Sequence, residues 1–323
     1  MTTSTSPSLG NYLAAPLIAT LVFALAAALF AFVFKEPEPV PVFILFGTIQ
    51  GAAMVLFALL PLKAKRFARL SSLFLIGGAL LGLAGIMSRT NLQLEGFVLA
   101  ALSGTFSGVI VHFMMAKIIG PLLYGRNWCG WGCWTAMILD SLPFTKNSSW
   151  SQGGVRWIRA IHFGLALAIS IALFFVFKFS SQPPAAPAQP GMGSMAQLWW
   201  FVAGTALYYL VGIVLAITMR DNRAFCKYVC PVAVLFKFTS RLSLLRIGTK
   251  AAQCTGCKSC VSACPMGIDI PSYAAAGKRI TSTECIGCMH CVAHCPSGAL
   301  RASVGVDVAG RSRLISREQK RAA

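Results

Sequence analysis

Six runs of about twenty apolar residues limit this chain to architectures that cross a lipid bilayer. They fall at roughly 12–34, 41–62, 70–87, 96–119, 160–177 and 197–219, and each is expected to form a helix, which satisfies its backbone polar groups internally. The formal charge of +19 then has a topological reading. Lys63, Lys65, Arg66 and Arg69 follow the second run, and Arg126, Lys146, Arg156 and Arg159 follow the fourth. The alternate connections are poor in positive charge: Lys35 with Glu36 and Glu38, Arg89 with Glu95, and the Pro-rich stretch "SSQPPAAPAQPGMGSMAQ". Lys and Arg collect on the cytoplasmic side of a membrane, so both termini are expected there. No basic helix with interleaved aromatics stands apart from the spans, so nucleic acid is not expected as a partner. The first run is too long for a signal peptide's apolar core and no Lys or Arg precedes it, so a retained helix is expected. Gly78 with Gly82, and Gly104 with Gly108, have the spacing of close helix packing.

Of twelve cysteines, eight lie in two C-terminal runs, "CTGCKSCVSACP" at 254–265 and "CIGCMHCVAHCP" at 285–296. Each reads C-x2-C-x2-C-x3-C-P, the spacing that wraps three thiolates around one [4Fe-4S] cubane and sends the fourth to its neighbour. Cys254, Cys257, Cys260 and Cys295 are therefore expected to hold one cluster, and Cys285, Cys288, Cys291 and Cys264 the other. Four thiolates also suit zinc, but two identical four-member runs, each closing on Cys-Pro, favour iron–sulfur clusters. His290 and His294 lie inside the second run, where the cysteines already complete the ligand count; tuning or solvent exposure is expected of them.

The other four cysteines form a second repeat: "RNWCGWGC" from Arg126 to Cys133 and "RAFCKYVC" from Arg223 to Cys230. Each follows a pair of apolar runs, so runs three and four with the first motif look like a copy of runs five and six with the second. On a helix, each i,i+4 pair would project from one face, and Cys129, Cys133, Cys226 and Cys230 could converge on a third thiolate-ligated redox site. Redox-active thiols without metal, and buried thiols that only pack, remain open for the same residues. Trp128, Trp131, Trp134, Phe225 and Tyr228, which flank them, are expected to form an interfacial aromatic belt.

This order of paired spans, Cys-x3-Cys, paired spans, "CKYVCP" and two ferredoxin runs resembles the NapH/MauN-type membrane polyferredoxins, with related cores in NosR and CcoG. The likeness covers roughly residues 70–300 and all twelve cysteines. The first motif departs from the family in ending Cys133-Trp134 instead of Cys-Pro, and there are six runs where the NapH pattern has four. The resemblance implies an electron-transfer subunit of a quinol-linked oxidoreductase in the bacterial inner membrane, its ferredoxin domain facing the cytoplasm. Its partners would be membrane lipid, the quinone/quinol pool and a protein redox partner within a multi-subunit complex. The CcoG likeness implies an alternative, an assembly or regulatory protein that reduces a metal.

The fold expected is mainly α, a polytopic membrane protein of about six transmembrane helices with a small C-terminal α+β two-cluster ferredoxin-like domain. Its divisions are 1–69, two extra N-terminal spans; 70–245, the duplicated hairpins with their Cys-x3-Cys motifs; 246–305, the dicluster domain; and 306–323, a basic tail. No acid/base or nucleophile constellation appears, so no catalytic residue is assigned. His112 and His162 sit in apolar runs, where a polar group is costly without a partner. Either could ligate a b-type haem or bond a quinol headgroup; interhelical hydrogen bonds are the expected reading of both, and His162 with Arg156 and Arg159 is the better candidate for quinone contact.

Overall fold

The computed structural model describes residues 8–105, 107–144, 157–177 and 194–307. The Pro-rich connection, Lys146, Arg156 and the basic tail from 308 onward lie outside the described residues.

Among the described residues five helices are long and apolar enough to span a bilayer: Ala14–Val33, Val40–Leu59, Lys65–Met87, Trp157–Phe175 and Met195–Met219. The first is α1 (Ala14–Ala28) running into a π-helical turn over Leu29–Val33, the second is α2, and the third is α3 (Lys65–Ala79) running into π-helix over Leu80–Met87. The fourth expected run does not cross as one helix. It divides into α4 (Leu94–Leu102) and a second piece made of α5 (Gly108–Phe113), a π-helical stretch over Met114–Ile119 and α6 (Gly120–Tyr124). Ser103 Oγ and Thr105 Oγ1 donate to the Leu99 and Ala100 carbonyls at the break. Gly104 takes φ +64°, the left-handed conformation that ends helices. Hydropathy conceals such a break because Ser, Gly and Thr are nearly neutral.

The next elements are α7 (Asn127–Trp131), α8 (Trp134–Leu139), α9 (Trp157–Phe175), α10 (Met195–Met219), α11 (Ala224–Tyr228) and α12 (Val232–Thr239). The ferredoxin domain is framed by an antiparallel pair, β1 (Leu245–Thr249) and β2 (Leu300–Val304), with Leu245 opposite Val304 and Thr249 opposite Leu300. Between the strands lie α13 (Ser259–Ser262), α14 (Ile270–Ala275) and α15 (His290–Ala293).

Helix packing overturns one expectation. A Cβ added at Gly78, Gly82, Gly104 or Gly108 meets no atom of the described residues within 4 Å, so neither GxxxG spacing is used for close approach among them. The glycines that are used lie elsewhere, among them Gly77 of α3 against the Trp134 backbone and Gly47 and Gly51 of α2. A Cβ on the latter two would stand 2.7 Å from Phe23 Cβ and 2.5 Å from Thr20 Oγ1 of α1. Small-residue spacing matters only on the face a neighbouring helix approaches, and that face is not marked in the spacing itself.

The first two spans also do more than extend the bundle. Tyr12, just before α1, is 2% exposed and near enough to Cys291 and Cys295 to feel both charges. Phe57 of α2 meets Trp131 edge-on at 5.6 Å and His290 at 5.7 Å. Lys65 lies 5.0 Å over the Tyr12 ring and donates to the Phe57 carbonyl. The ferredoxin domain is therefore seated on the ends of α1, α2 and α3 as well as on the duplicated part.

Candidate metal centres

The two ferredoxin runs repeat in backbone as they do in sequence. Gly256 and Gly287 have φ +69° and +60°, and Lys258 and Met289, neither a glycine, have φ 58° and 60°. Each loop thus turns through the left-handed region just before α13 or α15, which aims backbone N–H groups inward at sulfur. Ser259 N–H reaches Cys257, Gly287 N–H reaches Cys285, and those of Met266, Gly267 and Ile268 reach Cys264.

One cavity is lined by Cys254, Cys257 and Cys260 from the first run and Cys295 from the second. Burial pushes the Cys260 thiol up to about 12, with the charges of Cys295, Cys254 and Cys257 adding to it. At Cys285 burial does the same, opposed by the Gly287 N–H and reinforced by Cys288 and Cys264. The structure brings Cys295 beside Cys254, Cys257 and Cys260, and Cys264 near Cys285 and Cys288. Among the described residues no three or more His, Cys, Asp or Glu groups close around a single metal ion. A cubane holds its four thiolates at the corners of an eight-atom core, wider apart than the ligands of one ion, and these donor sets fit that larger group.

The two centres differ in exposure. Residues 251–258, including Cys254 and Cys257, face solvent. Cys288 and Cys291 are each 8% exposed, because "CGWGC" lies against their loop. Trp131 Nε1 donates to the Gly287 carbonyl at 3.0 Å, and a Cβ on Gly130 would stand 2.4 Å from the Ile286 oxygen. Gly130→Val is therefore expected to displace the loop from Ile286 to Cys288, a segment away from Cys295. EPR of the dithionite-reduced protein should show that cluster's signal weakened or lost and the first cluster's retained.

Both Cys-x3-Cys motifs take the same form, which is not the expected helical i,i+4 pair. Cys129 and Cys226 lie on the five-residue helices α7 and α11, whereas Cys133 and Cys230 follow them in the connections before α8 and α12. Gly132 at φ −138°, ψ −1° ends α7, and Cys133 is extended as the N-cap of α8. The four cysteines nonetheless share one neighbourhood. Burial pushes Cys226 up to about 11 and Cys230 up to about 12, and at both the charges of Cys129 and Cys133 add to the rise. The aromatic residues around them are no interfacial belt: Trp128, Trp131, Trp134, Phe225 and Tyr228 are all less than 8% exposed. Trp131 packs toward the ferredoxin domain through Gly287, whereas Trp128 and Trp134 pack on His112 and Phe225 on Tyr208, among the helices.

Buried ion pairs fasten this junction. Glu284, next to Cys285, accepts from Arg126 at 2.8 Å and from Arg159 at 2.6 and 3.1 Å. Asp140 accepts from Arg69 at 2.5 Å and from Arg223 through two further bonds. Burial alone would raise the Asp140 carboxyl, but Arg223 and Arg69 outweigh it and hold it at about 2. Arg223 also donates to the Cys129 carbonyl at 3.0 Å. The arginines that open both repeats are thus fixed in buried carboxylate pairs, as is Arg159, the sequence's candidate for quinone contact. His162, its companion, donates from Nδ1 to the Val229 carbonyl at 2.8 Å and has Tyr208 Oη 3.4 Å from Nε2. The interhelical bonding expected of His162 is present. His112 differs, for its Nε2 is buried without a partner among the described residues.

Two family models match. One, described as a 4Fe-4S dicluster domain, covers residues 253–300; the other, a 4Fe-4S binding domain, covers 106–142 and 203–250, which contain the two Cys-x3-Cys motifs. MauN of Paracoccus denitrificans, a methylamine utilization ferredoxin-type protein, is 25% identical over 159 residues, 48% of this chain and 54% of its own. YccM of Escherichia coli, named for electron transport, is 26% identical over 164 residues, 49% of this chain and 46% of its own. An uncharacterized Methanocaldococcus jannaschii protein is 35% identical over 66 residues, 20% of this chain and 27% of its own. The chain thus spans about half or less of each relative's length. No solved structure matches it.

Proposed function

We propose that this chain, an electron-transporting polyferredoxin of the NapH/MauN type with two [4Fe-4S] clusters, carries electrons from the membrane quinol pool to a protein redox partner. Cys285, Cys288, Cys291 and Cys264 hold the cluster nearer the membrane, and Cys254, Cys257, Cys260 and Cys295 the outer one. Cys129, Cys133, Cys226 and Cys230 are assigned to a third thiolate-ligated centre between membrane and ferredoxin domain. The observation that carries the reading is the contact of "CGWGC" with the second ferredoxin loop, through Trp131 and Gly130. It supports entry of electrons at the buried cluster and exit where Cys254 and Cys257 reach solvent beside Lys258. A redox centre open to solvent on one side suits a docking partner, because electron transfer requires close approach.

In this reading residues 1–245 form the membrane part, with the two N-terminal spans and the duplicated hairpins, and 246–305 form the ferredoxin domain. The side bearing Arg66, Arg69, Arg126 and Arg223 faces the cytoplasm of a bacterial inner membrane. When bound, each cubane accepts one electron on going from the 2+ to the 1+ state. The protein's part is to fix the thiolates, donate N–H groups to sulfur and exclude water from the inner cluster. His290 beside that cluster is kept neutral, since burial and then the nearby Arg69 lower it to about 3.

The test is anaerobic addition of a short-chain ubiquinol or menaquinol to the oxidised protein, following loss of the cluster absorbance. Bleaching supports the reading; reduction of a metal ion by the reduced protein, with no response to either quinol, supports the CcoG-type alternative. Iron analysis tests the third centre. The wild type is expected to exceed the roughly eight irons of two cubanes, and Cys129→Ser with Cys226→Ser to fall back to that number. About eight in both would leave the four residues as thiols.

A further inference from the structure

A cavity of about 580 Å3 runs through the part of the bundle built by α1, α2, α3 and α5. At one end are Glu36 and Glu38, between α1 and α2, with Ser88 and Thr90 beyond α3. α1 starts against β2 of the ferredoxin domain and rises about 1.5 Å per residue, so this mouth opens on the opposite side of the membrane. At the other end are His112 and Trp128, the latter adjacent in sequence to Cys129.

Four observations mark it as a binding site. Its volume lies within the range of small-molecule sites, about 300–1,000 Å3, and its walls are largely apolar. His112, 9% exposed, has an Nε2 with no partner among the described residues, as does the Trp128 Nε1. A buried polar atom left unpaired costs about 1–3 kcal/mol, a cost that a ligand bonding to it removes. The break between Leu102 and Gly108 opens here, and two wall segments, at Leu80–Ala84 and Met115–Ala116, are π-helical, a geometry that recurs at functional sites. Finally, the His112 ring meets Trp128 edge-on at 5.4 Å and Trp134 at 5.6 Å. Those two tryptophans immediately precede Cys129 and follow Cys133, so the polar end of the cavity abuts the candidate redox path.

We propose that this cavity, and not the His162 face, is the quinol site; the proposal rests on the quinol reading above. The apolar length takes an isoprenoid or alkyl tail, and the His112 end takes a ring hydroxyl. Oxidation breaks the two O–H bonds of the quinol and forms two carbonyls, releasing two electrons and two protons. The eight ferredoxin cysteines would hold two oxidised [4Fe-4S] groups able to accept those electrons, one each. One proton passes first to the His112 imidazole, and both are released to water once the quinone leaves by the mouth at Glu36 and Glu38.

Gly108 lines the cavity and an added Cβ there meets no atom of the described residues within 4 Å, so Gly108→Leu fills the site without crowding its surroundings. Gly164→Leu, on the exposed face of α9 and equally uncrowded, is the control. The experiment uses the full chain, purified anaerobically with its clusters. It reads binding of heptyl-hydroxyquinoline N-oxide by fluorescence quenching, and the KM and rate of bleaching by decyl-ubiquinol or its menaquinol counterpart. Gly108→Leu and His112→Phe are expected to weaken binding or raise KM by about tenfold or more, the loss of one good hydrogen bond or its equivalent in contact. Iron content and the dithionite-reduced EPR spectrum should stay unchanged, and Gly164→Leu should match the wild type. Quinol bleaching of the wild type with unchanged affinity, KM and rate in both cavity variants would overturn this site and leave the quinol function standing. A wild type that neither binds the inhibitor nor responds to either quinol would overturn both.

Discussion

Cys288→Ser is expected to remove about four of the roughly eight ferredoxin irons and to stop quinol from reducing the cluster that remains. Cys257→Ser, in the exposed run, should lose as much iron while quinol still bleaches the buried cluster, which then fails to pass electrons outward. The asymmetry follows from position. Cys288 is in the loop that "CGWGC" covers, and its backbone N is 3.6 Å from where a Cβ on Gly130 would stand; Cys257 is exposed. Iron analysis with stopped-flow bleaching of both variants checks the prediction. If quinol bleached the remaining cluster equally in both, the order of the wire from inside to outside would be wrong.

The second large effect concerns Glu284. Its carboxylate, 2% exposed, neutralises Arg126 and Arg159, which are 1% and 0% exposed. A buried ion pair contributes little net stability compared with an apolar replacement, yet removing one partner costs about 3–5 kcal/mol because the other charge is left without compensation. Glu284→Ala leaves two such charges. The temperature of thermal cluster loss should fall by roughly 6–20 °C, at about 2–4 °C per kcal/mol. Glu284→Gln, which keeps an acceptor without the charge, should lie between. Pairing Glu284→Ala with Arg159→Met should recover part of the loss, since one of the two stranded charges is then gone. A Glu284→Ala protein as heat-stable as the wild type would mean that the membrane and ferredoxin parts are held together by packing alone.

The predictions separate what local spacing encodes from what it does not. Cysteines at C-x2-C-x2-C-x3-C-P bring three thiolates together through a single loop, so two cubanes and their crossed neighbourhoods were legible before any fold was known. Long apolar runs were equally legible, because bilayer thickness sets their length. The break at Gly104 was not. A run of Ser, Gly and Thr keeps the hydropathy of a span while its side chains bond back to helix carbonyls. Nor was the second use of Arg126 and Arg159. Basic residues at a membrane edge have the same appearance whether they face lipid headgroups or a carboxylate in a distant domain. Glu284 carried no signal beyond being an acid next to a ligand cysteine.

By itself, then, the sequence determined the metal chemistry, the membrane setting and the duplication of the Cys-x3-Cys motif, each a property of residues close together along the chain. Only the tertiary structure decided which ferredoxin cysteines are covered and which face solvent, which arginines are already paired, and which histidine lines a cavity. Those depend on contacts across more than a hundred residues, such as Arg126 with Glu284 and Trp131 with Gly287. They form because the ferredoxin domain folds back onto the membrane face. Burial there removes water as an alternative partner, so the carboxylates of Glu284 and Asp140 are matched by arginines of the protein itself.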